Sequence, residues 1–371
     1  MKPSTRQFVH LPVPGTSGAR ITFQLGLSLI ELMISITIGL LILVALSSLF
    51  INQSRARIEL DKSNRMVDNG SYALQLLSDD LRLAGYYGEF VPVSGAAPVP
   101  VMPAALPDPC SITATDVTNA NSPLTAPTGA FVLQLAVQGV DAATPTSTPA
   151  FSTACAAIAS ANSITLKPGS DIVVVRRTST ARPLAQGNAV ANVLYLQASL
   201  CQFDPVPFRI ATNLTLRKLP CTPASANYAD LRQFMVDIYF VSTDDKVTGG
   251  VGDHIPTLKR MEIDPNTQQF VVTPLVEGIE YMQLDYGLDT SGDGIVDSYV
   301  ANPALAQWPD VVAVQMHLLA RNTESTKGYT DNKTYDLGLA GSVTPNGSDK
   351  NYKRHAYNQY IRVVNVAGRR E

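Results

Sequence analysis

The sequence predicts an α+β protein in which one long N-terminal helix, membrane-spanning in its first half, packs on an antiparallel or mixed β-sheet head. Three observations predict it. One long apolar run, Leu27 to Ile51, follows a tail holding Lys2, Arg6 and Arg20 and no acidic residue. No proline occurs from Gly15 to Val91, so nothing forces a break in a helix there. Beyond residue 170 the chain turns to β-branched and aromatic runs separated by Gly, Pro, Asn and Asp clusters.

The composition narrows the classes. Of 371 residues 45% are hydrophobic and 16% charged, which excludes a chain disordered throughout. Only one stretch could span a bilayer, so the protein is not polytopic. The 28 basic and 31 acidic residues leave a charge of −3, and the part after residue 26 is more acidic still. A positive tail before an apolar run stays cytoplasmic, which sends the C-terminal part across the membrane. Cys110, Cys155, Cys201 and Cys221 all lie in that exported part, with no C-x-x-C pair, so two disulfides are expected. Loop closure favours near neighbours: Cys110 with Cys155, and Cys201 with Cys221.

The apolar run carries one charge, Glu31. An acidic residue inside a spanning helix costs about 2.5–3.5 kcal/mol on insertion scales, so Glu31 needs a partner. An ordinary signal peptide cut before Ser48 would leave this charge unexplained and would have a shorter apolar region. Gly26-Leu27-Ser28-Leu29-Ile30-Glu31 resembles the leader junction of type IV pilins and pseudopilins. The resemblance implies cleavage after Gly26 by a prepilin peptidase, methylation of the new N-terminus at Leu27, and Glu31 as residue five of the mature chain. There the carboxylate would pair with a neighbouring subunit's α-amine in the filament core, turning two unpaired charges into one compensated pair. Leu27 departs from the Phe usual in the family.

Residues 1–26 are thus read as a leader and 27–85 as the helix, about 85 Å long at 1.5 Å per residue. Its second half carries Leu60, Val67, Leu74 and Leu81 every seven residues, a stripe expected to lie on the head, with Arg57, Asp61, Lys62 and Asp68 outward. Gly85 is expected to end the helix. Residues 86–371 form the head. Within it, 91–168 is read as an irregular, disulfide-tied excursion, because its Ala, Pro and Thr content argues against long helices and central strands. Strands are predicted at 171–176, 193–196, 234–240, 281–286, 311–316 and 360–364.

This layout resembles PilW-type minor pilins and, more distantly, the J-type minor pseudopilins of type II secretion. The carriers are the stretch 78–88 at the helix exit, Val276-Glu277-Gly278-Ile279-Glu280 before Leu284-Asp285-Tyr286-Gly287, and Lys353-Arg354 followed by Tyr360-Ile361-Arg362-Val363-Val364-Asn365. The resemblance implies a pilin-like fold, an inner-membrane subunit with a periplasmic head before assembly, and later a place in the pilus at the cell surface. Its implied partners are other minor pilins, the major pilin, the prepilin peptidase and a tip adhesin, in pili that serve adhesion, twitching motility or DNA uptake. The alternatives are a type II minor pseudopilin, a nucleic-acid-binding uptake component, or an anchored calcium-binding domain.

A candidate Ca²⁺ loop stands at Asp289, Ser291, Asp293, Ile295 and Asp297, positions 1, 3, 5, 7 and 9 of an EF-hand-type loop, with Gly294 at the turn. Position 12 is Val300, where a bidentate Glu belongs. No other cofactor is expected. His254, His317 and His355 stand apart without a catalytic motif, so no enzyme is expected. Nucleic acid is not expected either. The pairs Arg176-Arg177, Lys259-Arg260, Lys353-Arg354 and Arg369-Arg370 are read as solvated strand edges on an acidic chain.

Overall fold

A computed structural model describes residues 28–91, 105–111 and 132–370, apart from 192, 213, 266 and 268. Gly26 and Leu27, the expected processing junction, lie outside the described residues. Two compact units divide the chain, residues 1–58 and 59–371. Helix α1 (Leu29–Leu83) begins in the first and ends in the second. In the first unit every described side chain is exposed, and the helix is long and apolar enough to cross a membrane.

In the second unit, the buried face of α1 is Met66, Gly70, Ala73, Leu77 and Leu81. Here the sequence expectation is corrected: Leu60 and Val67 are exposed and Leu74 only partly buried. A straight helix drifts about 20° per seven residues, so a strict heptad leaves the contact face while 3- and 4-residue steps stay on it. Lys62 is corrected too, since it is half-buried and lies 3.2 Å from Glu324. Asp61 and Asp68 are exposed.

The strands follow in chain order: β1 (Val137–Val140), β2 (Ile172–Thr178), β3 (Tyr195–Ala198), β4 (Phe208–Ala211), β5 (Arg232–Ser242), β6 (Val247–Thr248), β7 (Val251–Gly252), β8 (Thr257–Ile263) and β9 (Phe270–Glu277). After them come β10 (Ile279–Leu288), β11 (Ser298–Val300), β12 (Val311–Arg321), β13 (Tyr335–Asp336), β14 (Ser342–Val343) and β15 (Arg354–Arg362). A seven-stranded sheet runs β1-β2-β5-β3-β4, with β8 also on β5 and β9 on β8. A four-stranded sheet runs β11-β10-β12-β15. Every pairing is antiparallel.

Both faces of β2 are buried, which is why it reads as the unbroken run Ile172-Val173-Val174-Val175 rather than alternating. Val173 and Val175 join the core shared by α1 and the four-stranded sheet, with Leu77, Met282, Val314 and Ile361. Ile172 and Val174 face a second core with Tyr87, Leu133, Phe208 and Phe240. A side chain at Gly139 of β1 would overlap the Tyr286 ring, so the bare glycine lets the two sheets meet. Asp171 fastens that meeting: its carboxylate accepts from the amides of Ala142 and Leu284, both at 2.8 Å.

Residues 91–168 differ from expectation where described. Leu133 and Leu135 are buried, β1 is part of the large sheet, and helix α2 (Thr153–Ala161) packs beneath it. Prolines flank these elements without entering them, and that spacing hid them. The final predicted strand also stops early. β15 ends at Arg362, and Val364–Ala367 form a short helix, α3. Disulfides join Cys110 to Cys155 and Cys201 to Cys221, with Cα separations of 5.1 and 5.9 Å.

Candidate functional site

The N-terminal end of α1, in the first unit, carries a capping box. Ser28 Oγ accepts the Glu31 amide at 3.2 Å, and the Glu31 carboxylate reaches back to the Ser28 amide at 3.1 Å and its hydroxyl at 3.2 Å. Each residue satisfies an amide that the first turn of a helix leaves without an intrahelical acceptor. Glu31 is thus held, exposed, at the positive end of the helix.

The other end of α1 is gripped by three segments of the head. Asp80, one turn before the exit, pairs with Arg177 Nε on β2 and accepts the Tyr239 hydroxyl at 3.0 Å. Arg177 also lies 3.5 Å from Asp237, whose other oxygen is 3.9 Å from Arg260. Burial, then the nearby Asp80 charge, push the Asp237 carboxyl up, while Arg177 and Arg260 oppose them. At the exit Gly85 adopts φ +74°, the left-handed turn that suits glycine, and donates its amide to Arg176 O at 2.8 Å. Asn365 then donates to the carbonyls of Arg82 and Ala84 at 3.3 and 3.2 Å, and Arg369 to that of Gly85, capping carbonyls the helix cannot satisfy itself.

Further up the helix Glu59 accepts the Thr326 hydroxyl at 2.7 Å and pairs with Lys353 at 3.2 Å. The Thr326 hydrogen bond, opposed by burial, holds the Glu59 carboxyl below its ordinary value with help from Lys353 and Lys62. Asn69 donates to Glu277 O at 3.0 Å, and the Tyr357 hydroxyl to Val67 O at 3.0 Å. Behind them Glu280 and Arg354 form a buried bidentate pair at 2.5 and 3.0 Å. The three motifs that carry the family resemblance therefore converge on one helix.

The basic pairs need correction. Arg176 is fully buried and donates to Leu135 O and Gln138 Oε1. Lys259 and Arg354 are buried, and Arg177, Arg260, Lys353 and Arg370 are partnered. They serve internal pairing because these strands are covered, and they form no solvated basic edge. Among the histidines, His317 is buried 3.3 Å from Asp285, His254 is exposed beside Asp244, and His355 meets the Tyr357 ring edge to face.

In the candidate Ca²⁺ loop Asp289 is buried and its carboxylate accepts from the amides of Gly292, Asp293 and Gly294 at 2.6, 3.2 and 2.9 Å, and from Ser291 Oγ at 3.2 Å. Arg370 approaches to 3.3 Å. Burial pushes the Asp289 carboxyl up, but the amides and Arg370 outweigh it and hold it below the usual range. Asp297 turns to the Thr290 and Ser291 amides at 2.7 and 2.9 Å, and Asp293 to the Ile295 amide at 2.9 Å. Among the described residues, Asp108, Cys110 and Cys155 form a close group of metal-ligating types, but the two sulfurs are spent in a disulfide.

Sequence reasoning missed the capping box, although Ser28-x-x-Glu31 is its signature, and missed Asn365 and Arg369 as caps, which no local pattern marks. A long apolar N-terminal helix joined to antiparallel sheets, with the helix exit clasped by the head, defines an α+β protein. Residues 238–365 match the family Type IV Pilus-assembly protein W, PilW, the family that the sequence resembles. Among solved structures, a type IV-like pilin from Thermus thermophilus is similar at 11% identity and a TM-score of 0.33, covering 82% of this chain and 98% of its own. No curated protein matches the chain.

Proposed function

We propose that this chain is a minor pilin that helps prime assembly of type IV pili from a tip-associated complex. A prepilin peptidase would cut after Gly26 and methylate Leu27, leaving the helix in the inner membrane and the head in the periplasm until extraction into the filament. The observation that carries the proposal is the match of residues 238–365 to a pilus-assembly family. The capping box adds a physical rationale. It holds the Glu31 carboxylate at the helix start, three residues from Ser28, where a neighbour's α-amine can replace the Ser28 donors. Partners in this reading are the major pilin, other minor pilins and a tip adhesin, and the role is structural rather than enzymatic.

The test is the N-terminus and intact mass of the membrane-fraction protein made with and without a prepilin peptidase. A product starting at methylated Leu27 only when the peptidase is present is expected, and Gly26→Asp should stop it. Uncut chain in both cases would sink the proposal. Assembly is then scored as surface pili in a strain lacking this subunit, complemented with the natural chain or with Glu31→Ala. The natural chain should restore pili and the variant should not. Rescue of protein secretion instead of piliation would favour a type II pseudopilus.

A Ca²⁺ ion at the Asp289–Asp297 loop is a separable second part of the proposal, motivated by the three amides already curled around Asp289. Arg370 supplies the positive charge there, so Ca²⁺ must displace it. Calorimetry at millimolar Ca²⁺ should give heat that increases in Arg370→Gln, and absence of heat in both chains would reduce the loop to a turn.

A further inference from the structure

Among the described residues the two larger sheets end in five strands, β1, β4, β9, β11 and β15, and all but the last are blunted. β1 and β4 are four residues long and β11 three. β9 has eight, but Pro274 and a register shift opposite Leu258 and Lys259 interrupt it. Short strands, prolines and bulges are devices that keep a sheet edge from pairing with another chain. β15 carries none of them. It is nine residues long, has arginine only at its two ends and no proline, and pairs with β12 in one unbroken register.

Its open side follows from the alternation of an antiparallel ladder. Lys353 O accepts the Asn322 amide at 3.0 Å and Val363 donates to Val312 O at 2.8 Å, so the odd-numbered residues between them bond to β12. Ala356, Asn358 and Tyr360 therefore turn their amides and carbonyls away from β12. All three residues are exposed, and these backbone groups meet no partner among the described residues.

One flank of α1 overhangs that open side. The helix and β15 run the same way, since Glu59 meets Lys353, Val67 O the Tyr357 hydroxyl, and Ala84 O the Asn365 amide. Lys62, Asn69 and Asp80 share one flank and are spent on Glu324, Glu277 O and Arg177. At 3.6 residues per turn, Leu60, Val67 and Leu74 share the other, the one that Tyr357 reaches. Leu60 and Val67 are 64% and 39% exposed. The result is a step, with unpaired backbone along its floor and apolar side chains along its wall.

We infer that this step receives an extended segment of another exported protein, which adds to β15 as a further strand and turns an apolar side chain at every second position toward Leu60 and Val67. The backbone edge demands a strand, and the helix flank demands that alternation. A second copy of this chain is the wrong occupant. The same edge of two copies can pair only antiparallel, because a parallel pair joins opposite edges. Such a pair sets the two Glu59–Leu83 helix segments in opposite directions, whereas chains anchored in one membrane through the preceding residues run the same way. The choice against a second copy rests on the anchored reading proposed above; the strand site rests on residues 59–371 alone.

The experiment uses the full chain in detergent micelles and a fluorescent probe peptide that alternates valine and threonine between terminal glutamates, read by anisotropy against empty micelles. Binding with a dissociation constant of about 100 μM is expected. A strand turns its valine amides to one edge and its threonine amides to the other, so N-methylating one set should abolish binding and N-methylating the other should spare it. Asn358→Pro, which removes an outward amide and no ladder bond, and Val67→Asp on the exposed flank should each weaken the probe by about tenfold. No binding, equal binding of the two methylated probes, or unchanged binding in either variant would each overturn the inference. A dimer of the natural chain that Asn358→Pro dissolves would overturn the choice of partner.

Discussion

Gly70 sits in the middle of α1, where glycine is ordinarily a weakness: in a helix interior Gly→Ala stabilises by about 1 kcal/mol. The reverse is expected here. A Cβ at Gly70 would stand 2.6 Å from Tyr357 Cζ and 2.7 Å from its hydroxyl, because the ring of β15 lies directly on the helix backbone and donates to Val67 O. The ring must swing away, with an overpacking penalty of about 1–3 kcal/mol. It also loses a hydrogen bond contributing about 0.5–1.5 kcal/mol. Against the propensity gain, Gly70→Ala should destabilise by about 1–3 kcal/mol. With Tyr357→Ala the obstruction is gone, and the same substitution should stabilise by about 1 kcal/mol. The four chains of this cycle, unfolded by urea in detergent, should show a coupling of about 2–4 kcal/mol. If Gly70→Ala stabilises in both backgrounds, the helix does not lie on β15 as described.

Three further outcomes follow from the same structure. Arg177→Met leaves Asp80 and Asp237 facing each other with that guanidinium removed, and should lower stability by about 3–5 kcal/mol in denaturant titrations; a loss under 1 kcal/mol would count against the clasp. Asp171 gives a pH signature, since burial, against two amides, pushes its carboxyl from 3.8 up to about 8. The folded state thus favours the protonated form, so its contribution is full below about pH 4 and is lost as pH rises through about 8. Urea midpoints of Asp171→Asn should show a flatter fall across that window, and an unchanged slope would show that another group titrates. Replacing Cys201 and Cys221 by serine opens a loop of 20 residues and should cost about 3 kcal/mol by the chain-entropy estimate, read as a shift in urea midpoint.

Legibility in the sequence followed the range of the interaction. The helix was legible because an apolar run and the absence of proline are local facts, and β2, β5, β10 and β12 because their β-branched runs are. β8 and β9 were not, since Lys259, Arg260, Glu262 and Pro274 disguise them. Lys259 is buried in spite of its charge by donating to Asp245 O, a contact no local pattern predicts. The face of α1 was misjudged because a seven-residue repeat is the rule for a supercoil, and a helix lying on sheets obeys 3.6. Asp80 and Glu280 were quoted as motif residues without partners, since Arg177 and Arg354 stand 97 and 74 positions away.

Those distant pairs explain why the resemblance was carried by charged and glycine positions more than by the core. A hydrophobic face tolerates substitution as long as volume is kept, so Met66, Ala73, Leu77 and Leu81 need hold only their size. A buried pair such as Glu280–Arg354 adds little net stability, but losing one member leaves a charge with no water and no partner. The effect is on register. Sliding α1 by one turn, about 5.4 Å, would still cover apolar surface, but it would part Glu59 from Lys353, Asp80 from Arg177 and the exit carbonyls from Asn365 together. Apolar burial therefore attaches the second half of α1 to the sheets, and the polar contacts select one position along it.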